Sequence, residues 1–160
     1  MSHGHIVQVS VSPGGVPKRP VEAARVTALG VEGDAHRDTE HHGGPERAVC
    51  LYALEAIEAL RREGHAILPG AIGENLTVAG VDWSAVVPGS RFRVGDDVVL
   101  EVTRYTSPCV NIGPVFRDRD YARVSEKRHP GWSRVYARVL TGGTVRRGDR
   151  VSLEAPAASR

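Results

Sequence analysis

The stretch Arg91-Phe92-Arg93-Val94-Gly95-Asp96-Asp97-Val98-Val99-Leu100-Glu101-Val102-Thr103 sets the fold class. Two short, valine-rich runs flank a Gly-Asp-Asp turn, and that pattern predicts a β-hairpin. The same strand-turn grammar recurs on both sides of it. Downstream, the strands Trp132 to Leu140, Thr144 to Arg147 and Arg150 to Leu153 are separated by Gly142-Gly143 and Gly148-Asp149. Upstream, Ile6 to Ser12 stops at Pro13-Gly14-Gly15, and Ala24 to Leu29 and Ala48 to Tyr52 follow. Gly73-Glu74-Asn75 leads into a further strand that ends at Gly80. One segment changes period. Leu54, Ile57 and Leu60 recur at helical spacing, with Glu55, Glu58, Arg61 and Arg62 facing away and Gly64 placed as a C-terminal cap. A helix over residues 53–63 is therefore predicted, with a second around 118–127 in a polar segment that would suit a lid. The expected fold is mostly β, a barrel with one or two short helices. It forms a single domain over residues 1–153, and residues 154–160 read as a disordered tail.

Bulk numbers narrow the function. A chain of 160 residues with 41% hydrophobic residues is large enough for one core. Its 21 basic and 19 acidic side chains leave a formal charge of +2, which excludes the polyelectrolyte signature of non-specific nucleic-acid binding. Lys18 and Lys127 are its lysines, so the positive charge is mostly arginine, whose planar fork suits phosphate and carboxylate. The start Met1-Ser2-His3-Gly4-His5 lacks a signal peptide's basic and apolar regions, and no apolar run is long enough for a bilayer. A soluble cytoplasmic protein with no membrane or nucleic-acid partner is expected, its two cysteines reduced.

Cys109, in Ser107-Pro108-Cys109-Val110-Asn111, stands just beyond the hairpin's second strand, where a stiff loop can expose it. A thiolate there is either a nucleophile or a soft metal ligand. Cys50 has apolar neighbours on both sides and reads as an inert core residue. The segment Asp34 to His42 holds three histidines, two aspartates and a glutamate. It reads as a zinc site, as an anion-binding loop in which Gly43 and Gly44 offer backbone N–H groups beside His42 and Arg47, or as a solvated turn. Glu74 and Asn75 serve either a ligand or a turn. No P-loop, dinucleotide-binding glycine motif, nucleophile elbow or H-E-x-x-H is found.

Read together, Gly33-Asp34, His42-Gly43-Gly44-Pro45-Glu46-Arg47-Ala48-Val49, Gly73-Glu74-Asn75-Leu76-Thr77, Pro108-Cys109 and Arg138-Val139-Leu140 followed by Gly148-Asp149 resemble the MOSC domain, the C-terminal module of molybdenum cofactor sulfurase and a stand-alone bacterial protein. The resemblance covers residues 6–153. It implies a β-barrel in which Cys109 either ligates molybdenum of the molybdopterin cofactor or carries a persulfide sulfur. His42, Gly43, Gly44, Arg47, Glu74, Asn75 and Arg138 would then surround the cofactor or substrate. It further implies reduction of N-hydroxylated small molecules with an external electron-donor protein, or sulfur transfer with a cysteine desulfurase. The family often has arginine or glutamine shortly before Pro-Cys, where this chain has Thr106 and Ser107. Pyridoxal phosphate, also associated with the family, would need a Schiff-base lysine, and neither Lys18 nor Lys127 reads as a desolvated nucleophile. A binding module without catalysis is the third reading.

Overall fold

The structure, a computed structural model, describes residues 2–35 and 44–157. Its strands are β1 (Ser2–Val11), β2 (Arg19–Val21), β3 (Ala23–Thr27), β4 (Gly30–Val31), β5 (Val49–Ala53), β6 (Leu76–Ala79), β7 (Arg91–Val94), β8 (Val98–Tyr105), β9 (Val135–Thr141), β10 (Gly143–Arg146) and β11 (Arg150–Glu154), with helix α1 (Leu54–Arg62) between β5 and β6. The main sheet runs β11-β7-β8-β9-β5-β6-β1-β2, and an additional pairing of β1 with β11 closes seven of these strands into a barrel. Closure removes the open edges a flat sheet would expose. β1 forms the seam: its first half pairs with β11 and its second with β6 and then β2.

The predicted hairpin is present in register, with Arg91 opposite Glu101 and Val94 opposite Val98. Alternation along each strand turns Val49, Leu51, Leu76, Val78, Phe92, Leu100, Val135 and Ala137 into one apolar core inside the barrel. All the barrel's strand pairs are antiparallel except β5 with β6. A parallel pair needs a crossover of a dozen or more residues, and α1 with the chain up to Asn75 supplies it. That requirement explains why one helix interrupts a β sequence. Ile57 and Leu60 are buried, and the cap is as expected: Gly64, at φ 100°, donates its N–H to Arg61 and His65 donates to Leu60. The crossover packs on the outside of the barrel with Tyr52, Ile72, Ile112, Phe116 and Val124 as a second apolar cluster.

Two sequence expectations are corrected. The 118–127 helix is replaced by 3-10 pieces at Val110–Val115, Arg117–Arg119 and Tyr121–Val124. Asp118 and Arg119 adopt positive φ, which breaks helical continuation, and tertiary contacts hold the segment instead. Of the strands after Trp132, β10 leaves the barrel to pair with β3 in a separate sheet ordered β10-β3-β4. The chain also stays in strand to Glu154, the first residue assigned to the tail.

Candidate functional site

The outer face of β5 and β9 is the floor of the site. Val49, Leu51, Val135 and Ala137 point into the barrel, so the alternate residues Cys50, Arg134 and Tyr136 face outward, with Cys50 directly opposite Tyr136. Over this floor lie the loop after β1, the crossover before β6 and the segment after β8. Between them is a cavity of about 310 Å³, lined by Lys18, Arg47, Cys50, Asn75, Cys109, Arg134 and Tyr136 among others.

A polar network fixes one wall. Asp34 accepts at Oδ1 from the Ser12 N–H (2.9 Å), and at Oδ2 from Lys18 Nζ (2.5 Å) and Asn75 Nδ2 (2.9 Å). Asn75 also donates from Nδ2 to the Ser10 carbonyl and accepts at Oδ1 from the Cys50 N–H, so its amide is fully committed. The Lys18 and Asp34 side chains are 6% and 3% exposed, an ion pair whose disruption on one side costs about 3–5 kcal/mol. Gly70, at φ 84°, lets the crossover touch this loop: a Cβ there would sit 2.5 Å from the Lys18 carbonyl oxygen.

Arg134 is met differently. It is buried, its Nη1 donates to the Ile72 carbonyl at 2.6 Å, and its buried Nε has no partner. No carboxylate lies within ion-pair distance of it among the described residues. Among the described residues the cavity lining contains three cations, Lys18, Arg47 and Arg134, and no aspartate or glutamate. Arg47 is carried on the turn Pro45–Arg47, with its guanidinium 5.9 Å from the Tyr136 ring centroid.

The two thiols differ. Cys109 is half-buried at the start of the Val110–Val115 turn, whereas Cys50 is buried. Burial pushes the Cys50 thiol up to about 11, opposed in part by Arg134, so it stays protonated at neutral pH. Burial likewise raises the Tyr136 phenol to about 12. Glu74 is fully buried and its carboxyl is raised, chiefly by desolvation; Oε2 accepts from Thr77 and Oε1 has no partner.

The cavity therefore gathers Cys109, Arg47 and Asn75 from the residues singled out in the sequence. Glu74 lies outside its lining, and Gly44 is an exposed residue opening the Pro45–Arg47 turn. Arg138 points elsewhere, donating to Glu46 at 2.8 Å with Glu101 3.7 Å away. His42 and Gly43 lie outside the described residues. Lys18 is a correction, since it is buried at the cavity and not solvated. Arg134 and Tyr136 were missed, although the alternation in Ser133-Arg134-Val135-Tyr136-Ala137 was a signal that they share a face. Among the described residues no group of three or more histidine, cysteine, aspartate or glutamate side chains forms a metal site.

The family model described as MOSC domain matches residues 38–152. The chain belongs to the MOSC domain family. It is 35% identical over 144 residues to the uncharacterised protein YflK of Bacillus subtilis, covering 87% of this chain and 62% of that protein. To YiiM of Escherichia coli it is 32% identical over 136 residues, covering 82% and 56%. A protein of Gibberella moniliformis named as a reductase is 35% identical over 132 residues, covering 79% of this chain and 23% of its own length. The MOSC chain here thus spans less than two thirds of each of these relatives. Among solved structures, YuaD of Bacillus subtilis superposes with a TM-score of 0.77 at 19% identity, covering 98% of this chain and all of that one. YiiM of Escherichia coli superposes with a TM-score of 0.70 at 25% identity, covering 97% and 72%. Membership associates the chain with a molybdenum-cofactor-related function. No helix among the described residues is long and apolar enough to cross a membrane.

Proposed function

We propose that this MOSC domain binds the molybdenum pterin cofactor through Cys109 and reduces N-hydroxylated compounds. The observation that carries the reading is the meeting, in one cavity, of a half-buried thiol with three cations and, among the described residues, no lining carboxylate, Arg134 keeping a buried donor without a partner. A buried, unpaired guanidinium is costly, and an anionic ligand is the group that relieves it. The donor set fits the cofactor: Arg47 and Arg134 would hold its phosphate, and the Cys109 thiolate is a soft ligand for the metal. When bound, the cofactor supplies the two-electron and oxygen-atom chemistry. The chain's own residues orient it. Asp34 holds Lys18 and the Ile72 carbonyl holds Arg134, so both cations are in place before any ligand arrives. The turn Val110–Val115 places Asn111 and Ile112 along one side of the cavity.

The reductase name of the Gibberella moniliformis relative supports a redox role. An electron-donor protein would complete it, because the sequence has no flavin, haem or iron–sulfur motif. Pyridoxal phosphate remains a poor fit, since Lys18 Nζ is committed to Asp34. In a host that makes the cofactor, wild-type protein is expected to carry molybdenum and to reduce an N-hydroxylated substrate, and Cys109→Ala to lose both. Unchanged reduction by Cys109→Ala would sink the reading.

The partial exposure of Cys109 favours a second reading, a persulfide carrier fed by a cysteine desulfurase. In that case the intact mass after exposure to the desulfurase would rise by one sulfur atom, removable by reductant.

A further inference from the structure

His65 is buried where the chain leaves α1, its ring tilted against Phe116 with 5.2 Å between centroids. Its Nδ1 accepts the Arg117 backbone N–H at 2.9 Å. A ring nitrogen that accepts carries no hydrogen, so the neutral imidazole has its hydrogen on Nε2, which lies 3.7 Å from Glu63 Oε1. The bond to Arg117 is one of a small set of ties between the end of α1 and the segment after Cys109. The Ala66 N–H donates to the Val115 carbonyl at 2.8 Å, Arg117 Nη1 donates to the Glu63 carbonyl at 3.4 Å, and Arg123 donates to both Glu63 carboxylate oxygens. The segment held in this way lays Asn111 and Ile112 against the cavity. Just beyond Arg117 come Asp118 and Arg119 at φ 56° and 53°, a left-handed backbone that is unfavourable for residues with a side chain, so the segment leans on its ties.

A proton entering the neutral ring goes to Nδ1, because Nε2 already carries one. Nδ1 then changes from acceptor to donor, meets the Arg117 N–H donor head on, and the bond is lost. The charged and titratable groups around the ring are Glu63, Arg117, Arg123 and His129. Glu63 attracts a proton to the ring while its own oxygens hold Arg123, and His129 stands within electrostatic reach of Glu63. Histidine changes charge between about pH 5 and 8, well above the range in which Glu63 titrates. The tie is therefore intact at the higher pH and is lost as the pH falls.

We propose that His65 is a pH-sensitive latch on the cavity: neutral, it fastens residues 110–124 through the Arg117 N–H, and protonated, it releases them and loosens the wall formed by Asn111 and Ile112. The latch needs only the cavity and its wall, and holds whatever ligand the cavity takes. Amide hydrogen exchange of the wild type tests it, read at pH values of about 5.5 and 7.5, within the range where histidine titrates, and corrected for the intrinsic pH dependence of exchange. Arg117 and residues 110–115 should exchange on the order of tenfold faster at the lower pH. The midpoint of that change should coincide with protonation of His65 Nδ1, followed by nitrogen-15 NMR of the ring. In His65→Asn the amide oxygen takes the place of Nδ1 and does not titrate, so protection should be kept at both pH values. Equal protection of Arg117 at both pH values in the wild type overturns the proposal. A change at Arg117 that leaves residues 110–115 untouched also overturns it, since the latch would not reach the cavity wall. The same pH dependence in His65→Asn would assign the effect to another group, Glu63 or His129, and overturn it as well.

Discussion

Burial silences one thiol of this site and leaves the other available. Cys50 and Cys109 line one cavity, yet Cys50 is desolvated and its thiol raised to about 11, while Cys109 stands partly in solvent. A thiol-reactive dye at pH 8 should therefore label one equivalent rapidly, and that label should vanish in Cys109→Ala. Cys50 should react only on denaturation, with a native rate lower by at least about tenfold, since a thiolate is the reactive form. Comparable native rates for the two thiols would contradict the described burial. The placement of Cys109, Arg47 and Asn75 at the cavity was legible because each lies within two residues of a glycine or proline that interrupts the strand pattern. Lys18 was not, because its burial depends on Asp34 and on the Gly70 approach, both distant in sequence. Arg134 was hidden for a related reason. A charged residue inside a strand normally faces solvent, and the outer face of β9 is covered only because the crossover folds over it.

At the scale of elements, the segment after Cys109 is fastened to the end of α1. Arg123 donates to both Glu63 oxygens at 2.9 and 2.8 Å and lies 4.1 Å over the Trp132 ring, and His65 Nδ1 accepts the Arg117 N–H at 2.9 Å. The hydrogen bonds from Arg123 hold the Glu63 carboxyl below its ordinary 4.5. Because that value is lower folded than unfolded, the pair's contribution is present above pH 4.5 and fades as the pH falls through the depressed value. Glu63 is 42% exposed, so screening holds the contribution to about 0.2–1 kcal/mol. Glu63→Gln should lower stability to urea at pH 6 by that amount and match wild type near pH 3, with faster proteolysis between Arg117 and Lys127. An equal deficit at both pH values would show that the carboxylate charge is not what matters. This fastening also explains why the sequence reading misplaced a helix here. Local propensity favours one over 118–127, but contacts to Glu63, His65 and Trp132 are long-range and leave no local pattern, whereas α1, the 91–103 hairpin and the Gly64 cap are local and were readable.

For the whole molecule the decisive event is closure of the barrel at β1. Gly4 pairs with Val151 of β11 while the backbone of β6 passes so close that an added Cβ would fall on the Ala79 carbonyl oxygen. Gly4→Ala should therefore cost about 1–3 kcal/mol in urea denaturation, although the residue is remote from the cavity. Wild-type stability in that variant would mean that β1 does not lie between β6 and β11. A mostly β barrel was legible in the density of short strands and glycine turns, but the strand order was not, since pairing of the first strand with the last depends on residues some 150 positions apart. On the opposite side of the barrel β5 and β9 pair side by side, which places Cys50, Tyr136 and Arg134 on the cavity floor that Cys109 also lines.

The central claim is that this cavity holds a cysteine-ligated molybdenum cofactor, and metal analysis tests it most directly. Molybdenum measured by elemental mass spectrometry, on wild type and Cys109→Ala made in a host that synthesises the cofactor, should be near stoichiometric in the first and lost in the second. Molybdenum absent from wild type, or retained in full by Cys109→Ala, would contradict the account.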